Sequence, residues 1–283
     1  MKMKNSIQIG IVGMGYVGSA IYNGFKDSYT VHSYDITKAS SCESLEILCE
    51  KSDIIFICLP TPINKKGECD LTIIGSVLSN INSIVQNKIV IIKSTCIPGS
   101  SLAFQDRFSN LKIVFNPEFL REKHIDEDFI NQKFIILGGD GKNTIEVKKM
   151  YQKVFPSVEY FITDLTTAEM VKYTINCFLA LKVSFANELY DFCNAKKINY
   201  DDMIKIAMSD SRIGNSHWAV PGHDGKRGYG GSCFPKDVSA LYHEACNLDL
   251  ISYIIKASYD RNRELDRKDR DWENLLGRAV SEV

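Results

Sequence analysis

The sequence predicts an α/β protein: a doubly wound parallel sheet followed by a long connecting helix and a small all-helical domain. Three observations carry this. Short β-branched runs alternate with amphipathic stretches through the first half. After about residue 161 the apolar period changes from 2 to 3.6 and stays there. A glycine-rich turn joins the first apolar run to the first amphipathic one.

Ile7–Val12, Thr30–Tyr34, Asp53–Cys58, Ile89–Lys93, Lys112–Phe115 and Phe134–Gly138 read as strands. Many are apolar throughout, as suits a parallel sheet covered on both faces. Val17–Phe25, Leu45–Glu50, Leu71–Asn82 and Asn143–Phe155 read as the helices between them. Thr166 to Glu169 has the spacing of a capping box and opens a helix running to about Asn194. Shorter helices are expected near 201–208, 236–247 and 251–263, around a loop at 209–232 that holds six glycines. The division falls near Asp164, giving domains 1–163 and 164–283.

Composition narrows the function. The chain has 283 residues, 45% hydrophobic and 24% charged, and 34 basic side chains nearly balance 35 acidic ones. No basic excess recommends nucleic acid or an anionic membrane as the main partner. The charged start Met1-Lys2-Met3-Lys4 leads to no cleavage site, and no run is long and apolar enough to span a bilayer. Nine cysteines without a C-x-x-C pair argue against a disulfide framework or a zinc cage, and for a reducing, cytoplasmic setting.

Gly13-Met-Gly15-Tyr16-Val17-Gly18 follows a strand and opens a helix, the setting of a Rossmann-type dinucleotide site. Asp35 lies 20 residues beyond Gly15, at the end of the second strand. There a carboxylate binds ribose hydroxyls and repels a 2′-phosphate, which favours NAD over NADP. Leu59-Pro60-Thr61-Pro62 and Lys93-Ser94-Thr95 leave strand ends on the same side of such a sheet and should border the cofactor.

Gly230-Gly-Ser-Cys233-Phe-Pro-Lys236-Asp237 places a thiol just before a helix, where the helix dipole and a neighbouring lysine favour the thiolate. Its glycines let a bulky substrate approach the backbone. Lys172 and Asn176 share one face of the long helix. Glu118 and Glu122, after the fifth strand, offer carboxylates for proton transfer or for the solvated surface.

Together these strings resemble the UDP-glucose/GDP-mannose dehydrogenase family, and within it the UDP-glucose 6-dehydrogenases. Asn116-Pro-Glu118-Phe119-Leu120-Arg-Glu122 and Gly230–Asp237 are the most specific pieces, and the match runs in family order to about Asp237. The resemblance implies a two-step, four-electron oxidation of UDP-glucose to UDP-glucuronate with two NAD. It implies Cys233 as the nucleophile and Lys172 and Asn176 as stabilisers of oxygen charge. Asp237 and Thr95 would organise water or the base, and Glu118 would assist thioester hydrolysis. Gly13, Gly15, Tyr16, Val17, Gly18, Asp35, Pro60, Thr61, Thr95, Glu122 and Lys236 would line the cofactor. Phe119, Leu120, Glu122, Tyr229 and Gly230 would contact substrate, and Arg212 would reach the sugar site of the second subunit in a homodimer.

Family members usually carry a third domain that closes over the nucleotide, whereas this chain stops at Val283. Lys226 and Arg227 are therefore expected to supply diphosphate charge, and Trp218 or Tyr229 a stacking surface, unless they form only a solvated basic loop. The residues alone leave open a GDP-mannose-type enzyme, a β-hydroxyacid-type dehydrogenase without covalent catalysis, and a non-catalytic nucleotide binder.

Overall fold

The computed structural model describes residues 7–282, so Met1–Lys4 lie outside it. It divides into two compact units. The first comprises the chain up to Thr61 together with Leu71–Lys172, and the second Pro62–Asp70 with Tyr173–Val283.

In the first unit β1 (Gln8–Val12), β2 (Thr30–Tyr34), β3 (Ile54–Ile57), β4 (Lys88–Ile92), β5 (Leu111–Phe115), β6 (Phe134–Gly139) and β7 (Glu159–Thr163) form one seven-stranded sheet. Its order is β2-β1-β3-β4-β5-β6-β7. The helices are α1 (Tyr16–Phe25), α2 (Leu45–Lys51), α3 (Thr72–Ile84), α4 (Ser100–Arg107), α5 (Ile125–Ile130) and α6 (Gly141–Val154). The central strands are buried on both faces because alternate residues feed two separate cores. Ile55, Ile57, Val90 and Ile92 join one, and Ile54, Phe56, Ile89 and Ile91 the other. Full burial of each such side chain stabilises the fold by roughly 1.5–3 kcal/mol.

The sheet is not wholly parallel, as the sequence pattern led one to expect: β6 runs antiparallel to β5. A strand's apolar pattern reads the same in either direction, so direction is invisible to periodicity. Two helices also escaped the pattern. The short α5 carries three acidic residues in its first turn, and α4 is weakly amphipathic.

The long helix, α7 (Leu165–Lys196), starts where expected but not by the expected cap. Asp164 accepts from the Thr167 N–H at 2.8 Å, so it caps the helix. Glu169, the supposed far end of a capping box, turns inward. Its carboxylate accepts the Gly99 and Ser101 N–H groups at 2.6 and 2.8 Å, satisfying orphan donors at the start of α4. Burial pushes this carboxyl up to about 7 against those two hydrogen bonds, with Asp164 adding to the rise.

In the second unit, the remainder of α7 is joined by α8 (Tyr200–Ala207), α9 (Phe234–Asn247) and α10 (Tyr253–Arg261). Trp218, Tyr200, Ile204 and Val220 form a small core. By compactness the split lies inside α7, between Lys172 and Tyr173, and Pro62–Asp70 packs with the helical unit. Ile63 donates to Ala279 O and accepts from Ser281 N, and Ser239 Oγ donates to Gly67 O. Among the described residues no helix is long and apolar enough to cross a membrane.

Candidate active site

The glycine turn fits a dinucleotide. Gly13 has φ +92°, and a Cβ there would lie 2.5 Å from Cys58 O. A Cβ on Gly18 would lie 2.0 Å from Gly13 O, so only glycine lets α1 pack this closely on the strand turn. A Cβ on Gly15, the residue capping α1, would meet nothing within 4 Å. That open space lies before a helix N-terminus with no side-chain cap and no acid in its first turn, a setting for a pyrophosphate. Tyr16 is exposed at the first helical position, while Val17 packs inward.

Asp35 is built into this turn. Its Oδ2 accepts the Met14 N–H at 2.6 Å, and its Oδ1 takes the Thr37 and Lys38 N–H groups and the Thr37 hydroxyl. Burial would raise its pKa, but these hydrogen bonds lower it below the ordinary value. Oδ2 retains acceptor capacity for a ribose hydroxyl. The Leu59 N–H donates to Ser94 Oγ, tying together the loops after β3 and β4. Thr61 and Thr95 are buried in these loops, and Pro60 is exposed.

Beyond β5 a buried charged cluster forms. Lys172, 4% exposed, donates to Glu118 Oε1 at 3.1 Å and to the Glu118 carbonyl at 2.5 Å, with the Phe119 ring 5.1 Å away. Burial works to raise the Glu118 carboxyl. Lys172, the Leu120 N–H at 2.7 Å and Lys93 outweigh it and hold the group below its ordinary value. Phe119 and Leu120 pack into the two sheet cores, so they shape the turn from beneath. Glu122 lies exposed in a 3-10 turn, Glu122–His124.

In the second unit Cys233 is exposed and caps α9, with Pro235 in the first turn. Asp237 is buried and accepts the Asn176 Nδ2–H at 2.6 Å and the Lys236 ammonium at 2.5 Å. Burial opposes the charge on Lys236, but Asp237 and then Cys233 raise its pKa above the ordinary value. The arrangement offers an accessible thiol at a helix N-terminus beside a fixed cation, with an amide and a carboxylate locked together one turn on. Such a set can form and break a covalent bond to a carbonyl carbon.

The basic loop is committed elsewhere. Lys226 lies 2.5 and 2.9 Å from the carboxylates of Asp269 and Asp271. Arg227 donates to Asn187 Oδ1, Asp191 and Asp266. Trp218 and Tyr229 are buried, their polar hydrogens given to Gly214 O and Ser258 O. A diphosphate would have to compete with these ion pairs, and the two rings are core, not platform. Gly230 leaves room for Arg267, since a Cβ there would lie 2.4 Å from its guanidinium. Open space comes instead at Gly231, φ +72°. Arg212 is exposed in a 3-10 turn and pairs with Asp210, and Lys182 holds that turn through Ile213 O at 2.8 Å.

Sequence reasoning quoted Lys93 and Asn116 within motifs but gave neither a role of its own, and it passed over Tyr151. The signal was there in Lys93, a lysine ending an apolar strand, but nothing in the pattern named its acceptors.

Known proteins resemble this chain in sequence and in fold. Residues 37–155 match the NAD binding domain of the UDP-glucose/GDP-mannose dehydrogenase family, and residues 166–264 its central domain. The UDP-glucose 6-dehydrogenase of Rickettsia conorii is 32% identical over 250 residues, covering 86% of this chain and 56% of that protein. A UDP-glucose dehydrogenase structure from Pyrobaculum islandicum superposes with TM-score 0.82 at 26% identity, covering 93% of this chain and 70% of that one. A 3-hydroxyisobutyrate dehydrogenase from Mycobacterium tuberculosis reaches TM-score 0.72 at 12% identity over 90% of this chain and 92% of its own, a likeness of fold alone. The chain spans little more than half the length of the curated relatives it matches. With both domain models matched in order along it, the chain belongs to the UDP-glucose/GDP-mannose dehydrogenase family.

Proposed function

We propose that the protein is an NAD-dependent dehydrogenase that oxidises UDP-glucose to UDP-glucuronate through a thioester on Cys233. The observation that carries this is the exposed thiol capping α9 beside the buried Asn176–Asp237–Lys236 set. A simple alcohol dehydrogenase has no use for a nucleophilic cysteine. NAD, when bound, accepts hydride from the sugar carbon at each of the two oxidation steps. A base takes the proton of the primary alcohol in the first, a task assigned to water ordered by Asp237 and Thr95. The Cys233 thiolate then adds to the aldehyde carbon, forming a C–S bond, and the oxygen gains a proton as thiohemiacetal. Lys172 and Asn176 stabilise charge on that oxygen. Loss of the second hydride from carbon, with the hydroxyl proton passing back to the same ordered water, leaves the thioester. Glu118, held ionised, draws a proton from water, whose oxygen attacks the thioester and releases the carboxylate and Cys233. Purified protein with NAD and UDP-glucose should yield two NADH per sugar consumed. One NADH per sugar, or none, removes the thioester reading.

The same reading includes a homodimer in a cytoplasmic setting. Phe178, Phe185 and Phe192 recur every seven residues on α7 and are 62%, 52% and 61% exposed. A stripe at that spacing suits a helix-to-helix contact between copies. Replacing Phe178 and Phe192 by Asp strips four rings from such a contact, at about 1.5 kcal/mol or more each. Light scattering should then show the dimer mass of the wild type halved. A monomeric wild type removes the dimer.

A further inference from the structure

Lys93 closes β4 and is 5% exposed, yet its ammonium donates to neutral oxygens: Asn116 Oδ1 at 3.0 Å and Pro117 O at 3.5 Å. Asn116 is itself fixed. Its Nδ2–H is given to Ile136 O at 2.8 Å, and its Oδ1 also accepts the Tyr151 hydroxyl at 2.6 Å. One lysine thus grips the two residues directly ahead of Glu118, from the strand next to β5. A buried ammonium is costly where neutral oxygens alone satisfy it, and methionine would fill the same space without that cost. Its charge therefore needs a reason.

We propose that Lys93 is a positioning residue: it locks the Asn116–Pro117 turn and, with Lys172, supplies the positive field that keeps Glu118 a carboxylate inside the buried site. This rests on the role given to Glu118 in the reaction above. The surroundings are consistent on every side. Burial lowers the Lys93 pKa to about 8, against the pull of Glu118 and of Cys58 at the end of β3 and with the push of Lys172 from α7. Burial likewise raises the Cys58 thiol to about 12, with Lys93 opposing the rise, and holds Tyr151 well above its ordinary value, so near neutrality both keep their own protons and neither supplies a negative charge to Lys93. Above about pH 8 the lysine loses its charge, and with it the smaller of the two lysine contributions that hold Glu118 ionised.

Lys93→Gln tests the charge while keeping an N–H donor for the turn. With carbon-13 glutamate labelling, and Glu118→Gln to assign the signal, the Glu118 titration should move up by about one unit. The acid limb of kcat should follow it. An unmoved Glu118 titration in a folded Lys93→Gln protein overturns the proposal. Nitrogen-15 lysine spectra of the wild type decide it independently, even if the variant does not fold. An ammonium at Lys93 at pH 7 that deprotonates near 8 supports the proposal, and a neutral amine at pH 7 overturns it. Both titrations need no substrate, so a wild type that makes no NADH from UDP-glucose sinks the assigned reaction and leaves them standing.

Discussion

Cys233→Ser should lower turnover by about 10⁴-fold or more, the scale of loss when a covalent nucleophile is removed, while NAD affinity stays at the wild-type level. Two observations set this expectation. The thiol is exposed at the N-terminus of α9, so the substitution removes no core packing. The dinucleotide turn at Gly13–Gly18 lies in the other unit, so cofactor affinity should not follow. A serine hydroxyl stays protonated near neutrality and is a far weaker nucleophile than a thiolate. Stopped-flow absorbance for NADH and a fluorescence titration for NAD affinity check both halves. Retained turnover in the serine variant would favour the β-hydroxyacid type of chemistry, which the fold alone does not distinguish.

Lys172→Met should lower kcat by roughly 10²–10³-fold, the usual cost of losing one oxyanion-stabilising group, and destabilise the protein by about 3–5 kcal/mol at pH 7. The stability loss comes from Glu118, left buried without its ion-pair partner. Its sign with pH follows from linkage. In the wild type the carboxyl sits below its ordinary value, so its contribution is present above pH 4.5 or so and is lost as pH falls through the folded value. In the variant, burial dominates and the folded pKa rises, so stability is best at low pH and is lost as pH climbs. Urea denaturation should show a penalty that is small near pH 4 and full by pH 7. An equal penalty at both would mean that Glu118 is not the group left uncompensated.

Much of this was legible in the sequence because local chemistry dictated it. The Gly13–Gly18 turn needs positive φ and close backbone approach, and no other residue type supplies both. Asp35 ends its strand where the fold must place it. Cys233 announces itself through the glycines before it and Pro235 after it. What stayed hidden depends on long-range partners. Lys226 and Arg227 look like anion binders until Asp269, Asp271, Asp191 and Asp266 are seen to neutralise them. Glu169 has the spacing of a cap, and only the presence of α4 shows what it does. The antiparallel β6 and the Lys93–Asn116–Tyr151 network are likewise tertiary facts with no local signature.

The segment Pro62–Asp70 reaches further than its nine residues suggest. Because it packs with the helical unit, the chain passes between units at Thr61–Pro62, at Asp70–Leu71 and at Lys172–Tyr173. No single cut yields two intact halves. A fragment ending before α7 would carry Ile63 and Gly67 without the Ala279 and Ser239 partners that bury them, and the complementary fragment would keep a gap where they belong. Gene shuffling that exchanges one unit by a single crossover should thus yield hybrids with mismatched seams. Swaps that carry this short segment along with the helical unit should not.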